Sequence, residues 1–312
     1  MNETSALSSA RPSPFTPSLL RGSLLMVGSA AAWGMGTVMS KHSLDLLPPM
    51  PLLAMQLAAS IAVLWLLTLL RHPRAIRSWR DLRAGWTGIL EPGLAYALGI
   101  SGLALTSASS ASLIFVTEPI FIIIISVLFL REKVRPVVWG TVTLVVIGTL
   151  LVSGDDAGGG AQSIAGDLLL VLSTASAALY VIFSRRSVET MPPLPLAALQ
   201  QSAGLGVALA LLVVGFGGTG GFSLASVRAG TWAWAMLTGV VQYALAFSLY
   251  LTALRDLRAS QAALFLTLIP VFGVGGAALF LGETMTTIQL VGAGLIIGAL
   301  LVLNVVQARP KN

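Results

Sequence analysis

Two carboxylates stand inside stretches of this chain that otherwise carry almost nothing polar: Glu118 in SLIFVTEPIFIIIISVLFL and Glu91 in GILEPGLAY. An ionised carboxylate at the centre of a bilayer costs about 2.5 kcal/mol or more, so such residues are expected to face a bundle interior or water. There a carboxylate can bind a cationic group or exchange a proton. Each is followed by proline, Pro119 in the first case, which removes an N–H and leaves a carbonyl of the preceding turn without its usual partner; hydrated or polar surroundings are therefore expected. The competing reading of Glu118 is structural, a carboxylate bonded to the serines Ser107, Ser109 and Ser110 or to Gln56. For Glu91 it is a group near the interface that finds water or a loop arginine.

Other polar and aromatic residues could complete a pathway. Gln242 and Gln56 are amides in apolar spans, although a lone amide there commonly bonds helix to helix. Trp33, Tyr96, Tyr180, Tyr243 and Tyr250 could form an aromatic wall for planar or cationic molecules, or simply pack. Pro119 and Pro270 interrupt helices near mid-membrane, giving either exposed carbonyls for a ligand or a kink that fits neighbours together. Glu132 and Glu283 lie in turns between spans and are expected to be structural, capping the next helix or holding a hairpin amide. Asp167 is expected to cap the start of a helix.

Absences narrow the chemistry further. There is no cysteine and only two histidines, His42 and His72, so neither a disulfide framework nor a metal centre is expected. No GxxxxGK[ST] loop and no HExxH appear. No cofactor is expected and direct ATP driving is disfavoured. An intramembrane enzyme with Glu118 and Glu91 as acid and base is a weak alternative; a membrane assembly or sensor subunit is another.

The elements that must position these residues are membrane helices. The chain is 56% hydrophobic and 10% charged, with mean hydropathy +0.89, whereas about a quarter of residues are charged in a soluble domain. With about 20 apolar residues per span, the runs at 22–41, 51–70, 85–105, 107–130, 136–153, 163–184, 195–217, 230–253, 259–281 and 286–307 predict ten helices. Spans one, three, four, six, eight and nine carry the polar and aromatic residues and are expected to wall the cavity. Placing both termini in the cytoplasm puts all of the 18 basic residues except Lys41 and Arg228 on the inside, as the positive-inside rule requires. The net charge of +6 sits in short loops between spans, which argues against a nucleic-acid partner. The expected surroundings are a lipid bilayer and a small-molecule substrate, with protons as a candidate coupling ion and oligomeric state open.

The chain also repeats itself. At an offset of 151 residues Gly88 falls on Gly239, Glu91 on Gln242, Pro119 on Pro270 and Glu132 on Glu283. The module starts align at 144, with Ser40-Lys41 on Ser184-Arg185. Five spans per module force the second copy to enter with opposite orientation, the inverted-topology plan of many secondary transporters. The expected organisation is a cytoplasmic tail 1–21, a first repeat 22–153, an external linker 154–162, a second repeat 163–307 and a cytoplasmic tail 308–312. Glycines such as Gly99 and Gly102, Gly204 and Gly206, and Gly294 and Gly298 are expected to let helices approach closely.

The motifs Ala32-Trp33-Gly34, Pro119 with Arg131-Glu132, and Pro270 with Gly282-Glu283 resemble those of the drug/metabolite transporter superfamily, in its ten-helix EamA type. The resemblance covers about residues 22 to 307. It implies a bacterial inner-membrane exporter of small metabolites, amino acids or related amines, working by alternating access; a multidrug or cationic-compound exporter is the alternative. This chain departs from the common pattern in span two, where many relatives have an arginine and this chain offers only Gln56 as a polar side chain of similar reach.

Overall fold

The computed structural model describes residues 17–75, 78–130, 136–154, 160–216, 227–253 and 268–308, together with residues 223, 256, 257, 265 and 266. The described chain is helical: α1 (Pro17–Leu44), α2 (Pro49–Arg71), α3 (Trp79–Arg83), α4 (Ala95–Leu105), α5 (Ala108–Phe115), α6 (Glu118–Leu130) and α7 (Pro136–Gly154), then α8 (Gly160–Thr190), α9 (Pro193–Val213), α10 (Ala229–Gly239), α11 (Ala246–Ala253), α12 (Ile269–Gly276) and α13 (Thr287–Ala308). A 3₁₀ turn, Ala84–Ile89, and a wide π turn, Leu90–Leu94, join α3 to α4. Similar π turns follow α10 at Val240–Leu245 and α12 at Ala277–Leu281.

Seven of the resulting segments are long and apolar enough to cross a bilayer, from Leu19–Leu44 to Ala229–Ala253. Three shorter apolar helices, Pro136–Val152, Ile269–Leu281 and Thr287–Val302, lie where the sequence predicts the other spans. This is an all-α polytopic membrane protein. Its outward faces stay apolar, with Leu128, Val213, Leu279 and Phe280 all largely exposed, because lipid rather than water is their solvent.

Two boundaries differ from the sequence expectation. α8 starts at Gly160, inside the predicted linker, which places Asp167 two turns into the helix rather than at its cap. Its carboxylate instead accepts from the Thr106 hydroxyl at 2.9 Å. Span four is not one helix. Val116 and Thr117 form a turn between α5 and α6, where Pro119 cannot supply the amide that Phe115 would otherwise receive.

Helix pairs meet through contacts that occur twice. Gln56 Nε2 donates to Thr238 Oγ1 at 2.8 Å, and Gln200 Nε2 to Thr87 Oγ1 at 2.9 Å. Ser29 Oγ donates to the Ala246 carbonyl at 2.8 Å, and Ser173 Oγ to that of Ala95 at 2.7 Å. In both cases the first partners are 144 residues apart and the second partners 151 apart, the offsets read from the sequence. Glycines make these approaches possible. A Cβ on Gly88 would strike the backbone of Gln200, and one on Gly239 the backbone of Gln56.

Gly148 and Gly292 face each other's carbonyls across α7 and α13, so that a Cβ on either would lie 2.8 or 2.7 Å from the partner oxygen. Gly102 meets Gly166 in the same way, and Gly204 abuts Pro92. By contrast Gly206, Gly294 and Gly298 have open space where a Cβ would go, so these three are not the close-approach positions expected of them. They lie on faces of α9 and α13 that no described helix covers.

Candidate functional site

A cavity of about 190 Å³ lies at the centre of the bundle. Its walls come from spans one, three, four, six, eight and nine, the set that the polar and aromatic residues mark in the sequence. α1 contributes Trp33 and Thr37; Glu91, Tyr96 and Gly99 come from the third span, and Phe115 and Glu118 from the fourth. Ser173 and Thr174 lie on α8, Gln242 and Tyr243 on the π turn after α10, and Leu266 and Ile269 before and at the start of α12.

Glu91 reaches the cavity because its span breaks there. Its φ of −144° and ψ of 124° are extended backbone inside an otherwise helical segment, next to a proline that has no N–H for the preceding turn. Gln242 sits at the corresponding place in the other half without such a break. Glu118 is the first residue of α6, not the middle of a continuous helix, because Pro119 behind it suits the first turn of a helix. Ile269 begins α12 in the same manner, so one half brings a charge to this position and the other a hydrocarbon.

Neither glutamate side chain makes a hydrogen bond among the described residues, and no described lining residue is basic. The partners that a structural Glu118 would use are engaged elsewhere. Gln56 bonds Ser40 and Thr238. Ser109 donates its amide and its hydroxyl to Glu283 Oε2 at 3.0 and 2.7 Å, while the Ala108 amide donates to Glu283 Oε1 at 2.9 Å. With Ser107 Oγ taking the Ser110 amide, the first three amides of α5 are supplied. Glu283 thus caps a helix of the other half, and not the helix that follows it. Glu132 lies outside the described residues.

The aromatic residues divide. Tyr96 and Tyr243 stack within the wall, ring centroids 4.5 Å apart and planes 18° from parallel. Trp33 lines the cavity and packs at 5.6 Å against Tyr250, which stands behind it. Tyr180 lines a separate small recess with Glu91, Tyr96 and Gln200, and its hydroxyl donates to Gln200 Oε1 at 2.9 Å. Pro119 and Pro270 sit in the first turns of α6 and α12 and do not line the cavity, and Gln56 is wholly buried outside it. Gln200, Thr87, Thr238 and Ser40 carry the polar contacts that the sequence reading did not single out. The signal was present, since Gln200 lies 144 residues after Gln56, the offset already visible at the module starts.

A family model described as the EamA-like transporter family matches this sequence twice, over residues 20–154 and 164–305. The chain belongs to the EamA-like transporter family. An uncharacterized transporter of Archaeoglobus fulgidus is 23% identical over 268 residues, covering 85% of this chain and 92% of the relative. YvbV of Bacillus subtilis, also described as an uncharacterized transporter, is 28% identical over 293 residues, covering 91% and 92%. One crystal structure superposes with a TM-score of 0.63 at 18% identity, covering 91% of this chain and 96% of that one; at this identity the likeness is one of fold.

Proposed function

We propose that this EamA-like protein is a secondary transporter that exports amino acids or related amines across the bacterial inner membrane by alternating access. Ten helices in two inverted five-helix repeats, 22–153 and 163–307, surround the cavity, with both termini cytoplasmic. The double family match and the contacts that recur at offsets of 144 and 151 support that organisation. Alternating access then exposes one central site to either side of the membrane as the repeats rock against each other.

One observation carries the substrate reading. The cavity offers Glu91 and Glu118 together with the rings of Trp33, Tyr96 and Tyr243, with no basic side chain among its described lining residues. Carboxylates held away from bulk water need a positive partner, and aromatic faces attract cations. A protonated amine meets both requirements, and a proton on each carboxylate neutralises the empty site for its return. A flat organic cation would fit the same wall, which makes multidrug export the second reading.

The test is a solute panel on purified protein in proteoliposomes, with and without an imposed pH gradient. Amines should move faster than acids of the same size and should respond to the gradient. Equal flux of amines and organic acids, or no flux of either class, would overturn the proposal.

A further inference from the structure

Building on the amine reading above, we infer that the cargo is a dibasic α-amino acid, whose carboxylate is received by the side-chain amide of Gln242 while its two amines meet Glu91 and Glu118. The orientation of that amide is set by a chain of hydrogen bonds that starts outside the cavity.

The Thr238 hydroxyl donates its only hydrogen to the Ala235 carbonyl at 2.7 Å. Towards Gln56 it can therefore only accept, which turns the NH₂ end of Gln56 to it at 2.8 Å. The same NH₂ group donates to Ser40 Oγ at 2.8 Å, and Tyr243 approaches the remaining oxygen of Gln56 with its hydroxyl at 3.4 Å. Ser40 has then accepted one bond and has a single hydrogen to give. It gives it to Gln242 Oε1 at 2.6 Å.

The acceptor end of Gln242 is thereby occupied from behind, and its two N–H groups remain for the cavity that the residue lines. Turning Gln242 over would oblige Ser40 to accept from two amides and would leave its hydrogen without this acceptor. Among the described residues Gln242 bonds neither glutamate, so its donors remain for a ligand while Glu91 and Glu118 supply acceptors alone when ionised. A simple diamine would satisfy the acids and leave the amide idle. An amino acid with one amine would use the amide and leave one acid without a cation. A dibasic amino acid serves all three groups, and sites that hydrogen-bond a polar group discriminate strongly against analogues that lack it.

This assigns Gln242 as a specificity-determining residue and Ser40, with Gln56 and Thr238 behind it, as positioning residues. The test compares counterflow of L-lysine, of cadaverine, which lacks the carboxylate, and of L-norleucine, which lacks the second amine, in proteoliposomes. Wild type should favour lysine over each of the others by about tenfold or more, the value of one hydrogen bond to a charged group. In Ser40→Ala the lysine-to-cadaverine ratio should fall towards one, and Ser40→Thr, which keeps the hydroxyl, should restore it. Gln242→Glu exchanges the donor for an acceptor and should reverse the preference in favour of cadaverine. Equal handling of lysine and cadaverine by wild type, or a ratio unchanged in both Ser40→Ala and Gln242→Glu, overturns the assignment. Amine flux that ignores the carboxylate leaves the transporter reading intact, whereas no flux of any of the three overturns both.

Discussion

Glu283→Ala removes a bond between the two halves at a place where the cost can be counted. The wild-type carboxylate receives the Ala108 and Ser109 amides at 2.9 and 3.0 Å and the Ser109 hydroxyl at 2.7 Å. The hydroxyl can turn to another acceptor, but the two amides at the start of α5 have no intrahelical partner. A buried donor left unmatched costs about 1–3 kcal/mol. Ser109 is 4% exposed, so water reaches this end poorly, and the pair should lose about 3 kcal/mol, roughly a hundredfold in the folding equilibrium. Glu283→Gln keeps one oxygen and should retain about half of that. The assay is thermal unfolding in detergent followed by loss of the monodisperse size-exclusion peak, with Leu279→Ala on the lipid-facing side as a control. A melting temperature for Glu283→Ala within one degree or so of wild type would mean that the cap contributes nothing, and the argument from bond accounting would be wrong.

Gly239→Ala should destabilise by about 1–3 kcal/mol because the added methyl meets the Gln56 backbone, whereas Gly294→Ala, in open space, should be neutral or slightly stabilising; the same detergent melts compare them. Glu118→Gln should fold normally and lower amine flux by about tenfold or more, read in proteoliposomes; unchanged flux would return Glu118 to a structural role. Both termini inside predicts that Asp45→Cys reacts with an impermeant thiol reagent on intact cells and Arg74→Cys only after permeabilisation, and the reverse pattern would invert the topology.

Much of this arrangement is legible in the residues because lipid simplifies the code. Apolar runs must be helices, so the spans can be counted, and a polar residue within one must face inwards, so the six cavity-lining spans could be named. What escaped depends on contacts between distant parts of the chain. Nothing local to Glu283 indicates that its partners are Ala108 and Ser109, because the hairpin and the receiving helix come together only in the folded bundle. The turn at Val116 and Thr117 escaped because Pro119 is compatible with a mere kink; only the bundle around it decides whether the helix restarts. Asp167 reads as a helix start because Gly158, Gly159 and Gly160 read as linker, and glycine composition does not resolve where such a segment becomes helical. Gln56 reads as solitary at the 151-residue offset, because its twin, Gln200, stands at the 144-residue offset of the module starts.

The bonds that cross between the halves also impose a timetable on the making of the protein. Ser109 and Glu283 are 174 residues apart, Gln56 and Thr238 182, and Ser29 and Ala246 217. At a synthesis rate of about 5–20 residues per second, the amides of α5 wait roughly 10–35 s for the carboxylate that will receive them. During that interval the first half is in the membrane with the Ser29 hydroxyl, the Gln56 donor that Thr238 will receive and the open end of α5 lacking their final partners. The insertion machinery, neighbouring lipid headgroups or trapped water must serve those groups until the second half arrives. A slow stretch of translation after the first half would lengthen that exposure, so for this chain the pace of the ribosome is part of what protects its polar groups.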